Sequence, residues 1–320
     1  MTSSFLSALL LAVTAVSPPS AAGRKLAPAP VGVSASRRRP AGRARSPSYA
    51  RMTPAQREAL LGPIRQLTSV SARLLRVTAP FLGTRYALSP LGEGKGVDPD
   101  PLLRFDAVDC LTFVETSLAL AAAPDASALL PVLDDIRYAA LPPAFQNRNH
   151  FMEAEWIPNN VLKGWVRDIA PEVGGKAVRV ATKVYSLAVW KKRRELGDMP
   201  LDSDAVPRGT FRLDYVPLAF VRAHPERIPS GTILFVVRQN FLSIPTRVSH
   251  VGFVFSTPHG QVLRHASESP YRRVVDEPFS AFLARNAGYK KWPVRGFALF
   301  EPRLPRARVQ RIVAFAAASR

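Results

Sequence analysis

The chain has 320 residues, 47% of them hydrophobic, enough to bury a substantial core in one large or two modest domains. Its formal net charge of +20 would suit a nucleic-acid binder if it lay on a folded face, but much of it sits in a stretch too poor in apolar residues to fold, so nucleic acid is not an expected partner. One cysteine, Cys110, excludes an internal disulfide.

Residues 1–22 read as a secretory signal. The apolar run from Phe5 to Val16 is too short to span a bilayer, and Ser17-Pro18-Pro19-Ser20-Ala21-Ala22 offers small residues to a signal peptidase. The usual positive charge before the run is missing, and the alternative is a disordered apolar terminus. The signal reading places the protein outside the cytoplasm, in the periplasm or cell envelope, with no transmembrane span in its mature form. Residues 23–50 carry Arg24, Lys25, Arg37, Arg38, Arg39, Arg43 and Arg45 without an acid among Pro, Ala, Ser and Gly. This is a disordered basic linker, either a tether to anionic envelope polymers and lipid headgroups or a solubilising tail. A second basic cluster, Lys191-Lys192-Arg193-Arg194, reads as a solvated face.

From Thr53 the pattern is helical: Thr53 can cap, Pro54 suits the first helical position, and Leu60, Leu61, Ile64 and Leu67 recur at helical spacing, giving an N-terminal helical layer. Leu91-Gly92-Glu93-Gly94-Lys95-Gly96 is a loop without the spacing of a phosphate-binding motif. Asp109 is placed to cap a helix that starts at Cys110 and continues through Val114, Leu118 and Ala121. A further helix is expected over 126–140, then a polar, aromatic-rich loop over 147–160. Beyond it the chain reads mostly as strands, among them 232–237, 250–255, 261–266 and 297–301. Helices first and strands second predict an α+β fold. A domain over 51–304 is followed by a basic amphipathic helix over 305–320.

A lone thiol in an exported protein needs a reason, and its place at a helix start supplies one. A free thiol with a pKa near 8.5 is roughly 3% thiolate at pH 7, and a helix N-terminus and a nearby imidazole both favour the anion. Strand alternation puts His250, Gly252 and Val254 on one face. If 256–259 is a four-residue hairpin loop, Phe255 pairs with Gly260 and His250 falls directly opposite His265, with Cβ atoms roughly 5 Å apart. One imidazole could then act as base while the other fixes its orientation. Gly252 would keep the space between thiol and imidazole clear. Glu115, five positions after Cys110, should not share the thiol's face and reads as structural.

Asp109-Cys110-x-Thr112-Phe113-Val114-Glu115, Ser249-His250-Val251-Gly252 and His265-Ala266-Ser267, in that order, resemble the NlpC-type, papain-like cysteine hydrolases of bacterial cell walls. Phe81-Leu82-Gly83-Thr84-x-Tyr86 and Arg148-x-His150-Phe151 with Trp156 narrow the resemblance to the N-acetylmuramoyl-L-alanine amidase-like branch, of DUF1460 type. Arg85 stands where that branch usually has proline. The resemblance implies a papain-like core in which the helix bearing Cys110 packs on an antiparallel sheet bearing the histidines. It also implies Cys110 as nucleophile, His250 as general base, His265 as orienting residue and Tyr86 at the substrate cleft. It suggests substrate contacts for Arg148, His150, Trp156 and Asn160, with core packing the alternative for Trp156. The implied substrate is peptidoglycan or a muropeptide, cut between N-acetylmuramic acid and L-alanine. Alternatives are a cut between D-glutamate and the diamino acid of the stem peptide, a non-catalytic wall-binding module, or an acyltransferase using the same thioester. No cofactor and no metal are expected: the sequence has no His-Glu-x-x-His, no paired cysteines and five histidines.

Overall fold

The computed structural model describes residues 47–187 and 199–318. The signal stretch, most of the basic linker and the cluster Lys191-Lys192-Arg193-Arg194 lie outside the described residues.

In chain order the elements are α1 (Pro54–Arg65), α2 (Val70–Thr78), β1 (Arg85–Tyr86), β2 (Ala107–Val108), α3 (Cys110–Ala122), α4 (Leu129–Arg137), α5 (Ile157–Leu162), β3 (Val166–Asp168), α6 (Ala170–Gly174), β4 (Arg179–Tyr185), β5 (Gly209–Pro217), α7 (Leu218–Ala223), β6 (Thr232–Arg238), β7 (Val248–Thr257), β8 (Gly260–Ser267), β9 (Arg273–Pro278), α8 (Phe279–Gly288), β10 (Val294–Pro302) and α9 (Arg306–Ala318). The fold is α+β. Its strands form one sheet in the order β2-β1-β9-β8-β7-β6-β10-β5-β4, with β3 also paired to β10. β1 and β2 run parallel, and the other neighbouring strands are antiparallel.

Helices cover both faces of the sheet. On one, Phe113, Val114 and Leu118 of α3 join Val251, Phe253 and Phe255 of β7 and the apolar residues of α1, α2 and α4. On the other, Val254 and Leu263 join α6, α7 and the α8 residues Phe279, Phe282 and Leu283. The central strand β6 serves both, with Ile233, Phe235 and Val237 on the α3 side and Leu234 and Val236 on the α8 side. Burial on both faces explains its unbroken apolar run.

Three local expectations change. The helix expected over 126–140 is confined to α4, because the Asp125 carboxylate takes the amides of Ser127 (2.8 Å) and Ala128 (3.1 Å) in a turn, while Tyr138 bridges to Arg148. The loop expected over 147–160 is largely helical: a π turn, Met152–Trp156, runs straight into α5. Its start is fixed by the Glu155 carboxylate, which accepts from the Phe151 amide at 2.9 Å.

The third change is at the linker boundary. Tyr49, assigned to the linker, is fully buried in a short 3-10 turn. Its ring packs on Phe81 (4.9 Å between centroids) and Phe105 (5.5 Å), and its hydroxyl donates to the Val77 carbonyl at 3.0 Å. The fold therefore begins before residue 51. We expect Tyr49→Ala to cost about 3 kcal/mol of stability and Tyr49→Phe about 1 kcal/mol in urea unfolding. Unchanged midpoints for both would place the start of the fold after this residue.

Candidate active site

Cys110 is the first residue of α3 and is buried. The helix starts there because Asp109 and Thr112 close a reciprocal cap. Asp109 Oδ1 accepts from the Thr112 amide (2.7 Å) and hydroxyl (2.8 Å), and Thr112 Oγ1 accepts from the Asp109 amide (2.9 Å). The other carboxylate oxygen accepts from the Ser89 amide at 3.0 Å. The expected capping role of Asp109 is thus observed. The backbone amides of Val251, Leu111 and Cys110 itself lie near the sulfur and favour its anion. Burial, with Asp109 adding to it, outweighs these amides and pushes the thiol pKa well up. At rest the sulfur is a thiol.

Val251 follows His250, so the strand that meets the sulfur also carries the imidazole. His250 Nε2 lies 2.7 Å from His265 Nδ1, the two rings set at 85° to each other. The hairpin behind this pair differs from the expected one. Thr257 pairs with Gly260, whose φ of +103° suits glycine, so the turn is two residues tighter than a 256–259 loop. The ladder runs from there to Phe253–Arg264, which brings Gly252 rather than His250 beside His265. A shift of two keeps both imidazoles on one face, where a shift of one would have separated them. His250 reaches His265 diagonally across Gly252. A Cβ on Gly252 would lie 2.8 Å from the His265 Cβ and 2.9 Å from the Arg264 carbonyl oxygen. The glycine thus makes room for His265, and not for the space between thiol and imidazole.

A second irregularity aims His250. Between β6 and β7 the pairs Phe235–Val251 and Val237–Val248 enclose three steps on β7 against two on β6. This bulge spans Ser249 and His250 and breaks the simple alternation expected for the strand. Ser249 Oγ accepts from Arg238 Nε at 2.7 Å. Burial first, then the charges of His265, Arg285 and Arg238, hold the His250 pKa well below the ordinary imidazole value.

Two residues not anticipated from the sequence complete the line. His265, 1% exposed, places Nε2 3.1 Å from Glu277 Oε2, and Arg285 donates to Glu277 Oε2 (2.8 Å) and Oε1 (3.2 Å). Glu277 lies on β9 opposite Leu263, one diagonal from His265, within reach of a long side chain. The one available sequence signal was an acid closing a β-branched run just before Pro278-Phe279.

Tyr86 stands near Cys110: burial first, then the neighbouring Cys110, Asp109 and Glu268, raise its hydroxyl pKa. The four residues suggested as substrate contacts lie elsewhere, in buried structural networks. Arg148 is clamped by Glu93 (2.7 Å) and Asp98 (2.8 Å) and pins the glycine loop, where a Cβ on Gly92 would strike Asp98. His150 packs on Phe145 with Nε2 2.7 Å from that residue's carbonyl, and burial followed by the Arg148 charge pushes its pKa down to about 4. Trp156, fully buried, donates to Glu115 Oε1 at 2.9 Å, and Arg137 donates to the other Glu115 oxygen at 3.2 Å. Asn160 donates to the carbonyls of Ile136 (3.1 Å) and Trp156 (2.9 Å). These contacts tie the 147–162 segment to α3 and α4, and the structural reading of Glu115 is the observed one. Among the described residues no group of three or more His, Cys, Asp or Glu side chains has the arrangement of a metal site.

A family model described as AmiA-like, N-acetylmuramoyl-L-alanine amidase-like, matches residues 76–289. No curated protein sequence matches the chain. Among solved structures, a Legionella pneumophila protein of the DUF1460 family is 23% identical with a TM-score of 0.68, covering 78% of this chain and 94% of that one. An N-acetylmuramoyl-L-alanine amidase from Bacteroides uniformis is 22% identical with a TM-score of 0.58, covering 73% and 99%. At these identities the structural likeness concerns the fold.

Gly252→Ala should force His265 aside, costing about 1–3 kcal/mol of stability and breaking the contact between the rings. Thermal unfolding together with histidine NMR checks this, and an unchanged ring pair would refute the crowding argument.

Proposed function

The chain belongs to the N-acetylmuramoyl-L-alanine amidase-like family, and on that footing we propose an exported, cysteine-dependent amidase that cuts the amide between N-acetylmuramic acid and L-alanine in peptidoglycan or its turnover fragments. The observation that carries this reading is one juxtaposition: a buried thiol at a capped helix start, in contact with the amide that follows His250, whose ring is hydrogen-bonded to His265. Kinship with papain-like thiol hydrolases, the periplasmic or envelope location and a tethering role for the basic linker belong to the same reading.

The chemistry follows from the states of the groups. His250 is held neutral and Cys110 is a thiol, so proton transfer accompanies attack instead of preceding it as a resting ion pair. His250 takes the thiol proton as sulfur adds to the amide carbonyl, and the Cys110 amide stabilises the tetrahedral oxyanion. The imidazolium protonates the departing amino group of the peptide, leaving a thioester. Water, deprotonated by His250, then adds to the thioester, the carboxylic acid is released and the thiol is restored. Tyr86 lines the cleft beside the sulfur.

Three measurements test the proposal. Cys110→Ala should abolish cleavage of muropeptides followed by mass spectrometry, and the product masses identify the bond; cleavage by the variant would refute the nucleophile, and a cut after D-glutamate would refute the bond. Activity should survive EDTA, whereas loss restored by zinc would point to different chemistry. Because the folded His250 pKa is depressed, the base stays active as pH falls below the ordinary histidine value of 6.5, and the acid limb of kcat/KM should lie below that value. A limb at or above it would show that His250 is not the titrating base.

A further inference from the structure

Hydrogen-bond donors and acceptors along the line His250, His265, Glu277, Arg285 can be assigned in one direction only. Glu277 is 2% exposed. Burial opposes its ionisation, but the bonds from His265 and Arg285 outweigh it and hold its pKa below the usual value, so it is a carboxylate that can only accept. His265 Nε2 must therefore carry a hydrogen. Burial, only partly offset by Glu277, keeps His265 neutral, so its Nδ1 is a lone pair. That lone pair, 2.7 Å from His250 Nε2, requires the hydrogen of the neutral His250 ring to sit on Nε2. The only basic atom left on His250 is Nδ1.

We propose that Glu277 and Arg285 are positioning residues: Glu277 fixes the tautomers of both imidazoles so that His250 presents Nδ1 as the base, and Arg285 holds that carboxylate in place while offsetting its charge. The inference rests on the amidase reading for its catalytic meaning, but not for its structural content. Without Glu277, His265 is free to carry its hydrogen on Nδ1 and donate to His250 Nε2, which would move the His250 hydrogen to Nδ1 and remove the base. Arg285 has a separate effect. It lies on α8 with its side chain 42% exposed, and its bond to Glu277 leaves the far end of the line close to neutral. An imidazolium formed during turnover is thus not locked against a full negative charge and can release its proton to the leaving group.

The charges that face the pair come from every surrounding element. Arg238 of β6, His265 of β8 and Arg285 of α8 surround His250; Glu277 and Asp276 of β9, Arg285 and His250 surround His265. Removing Arg285 takes away a positive charge, so both imidazoles bind protons more readily and the base is lost at a higher pH. Replacing Glu277 by glutamine takes away the negative charge, with the opposite effect.

The test combines nitrogen-15 NMR of the histidines in the unliganded protein with pH profiles of the variants. In the wild type both rings should carry hydrogen on Nε2. Glu277→Ala should lose that fixed pattern and at least tenfold in kcat with little change in KM, as expected for a positioning group. The acid limb of kcat/KM should move up in pH for Arg285→Ala and down for Glu277→Gln. A merely structural role would move both in the same direction or neither, and either outcome overturns the proposal, as does a wild-type His265 with hydrogen on Nδ1. The half-exposed Arg285 and the wild-type spectrum keep the test decisive if Glu277→Ala fails to fold. Cleavage that persists in Cys110→Ala would refute the amidase while leaving the tautomer assignment standing. The rate at which iodoacetamide alkylates Cys110 across the same pH range reads the base without any substrate.

Discussion

A helix whose first turn is buried must find acceptors for amides that no preceding turn can satisfy. At the start of α3 this constraint decides the rest. Asp109 takes the Thr112 amide and Thr112 takes the Asp109 amide, so the cap fixes Cys110 at the helix start, with its sulfur near an amide of the sheet. The cap and the core around α3 together set the position of the sulfur. The same carboxylate that starts the helix also opposes ionisation of the thiol. Burial and this carboxylate favour the neutral thiol, while the cap fixes Cys110 beside the residue that follows His250.

The sequence carried this part of the fold clearly because each signal was local. A cap residue, an apolar helical repeat and a thiol at its first position are adjacent, and α3 begins where they predict. The strands bearing His250 and His265 were legible for the same reason, and the pairing of the two rings survived an incorrect turn length because an even shift preserves the face. Signals that depend on distant partners were less readable. Arg148, Trp156 and Asn160 carry polar groups typical of ligand contacts, yet their partners, Glu93, Asp98, Glu115 and Ile136, lie 24 or more residues away along the chain and turn them inward. Glu115 was the clue available: a carboxylate within an almost wholly buried helix must be paired, and an arginine and an indole are what pair it. Glu277 escaped notice because a terminal acid on a short strand looks like a solvent-facing residue until the neighbouring strand is in place.

The sheet irregularities show why alternation alone was insufficient. The bulge at Ser249-His250 and the missing side chain at Gly252 lie within four residues of each other, and each re-aims one imidazole. A four-residue hairpin loop would have placed His250 directly opposite His265; the two-residue turn sets them diagonally. The diagonal arrangement instead lets one ring meet the other edge-on, which suits a hydrogen bond through ring nitrogens better than stacking does.

Cys110 belongs to the core that α3 builds on one face of the sheet, while His265, Glu277 and Arg285 are assembled with α8 on the other. β7 links the two groups, with its Val251 amide near the sulfur and its His250 bonded to His265. The thiol and the imidazole pair therefore depend on different helices docking onto the sheet, α3 for Cys110 and α8 for the support of His265. A change that loosens α3 alone would move the thiol and leave the imidazole pair supported, and one that loosens α8 alone would do the reverse.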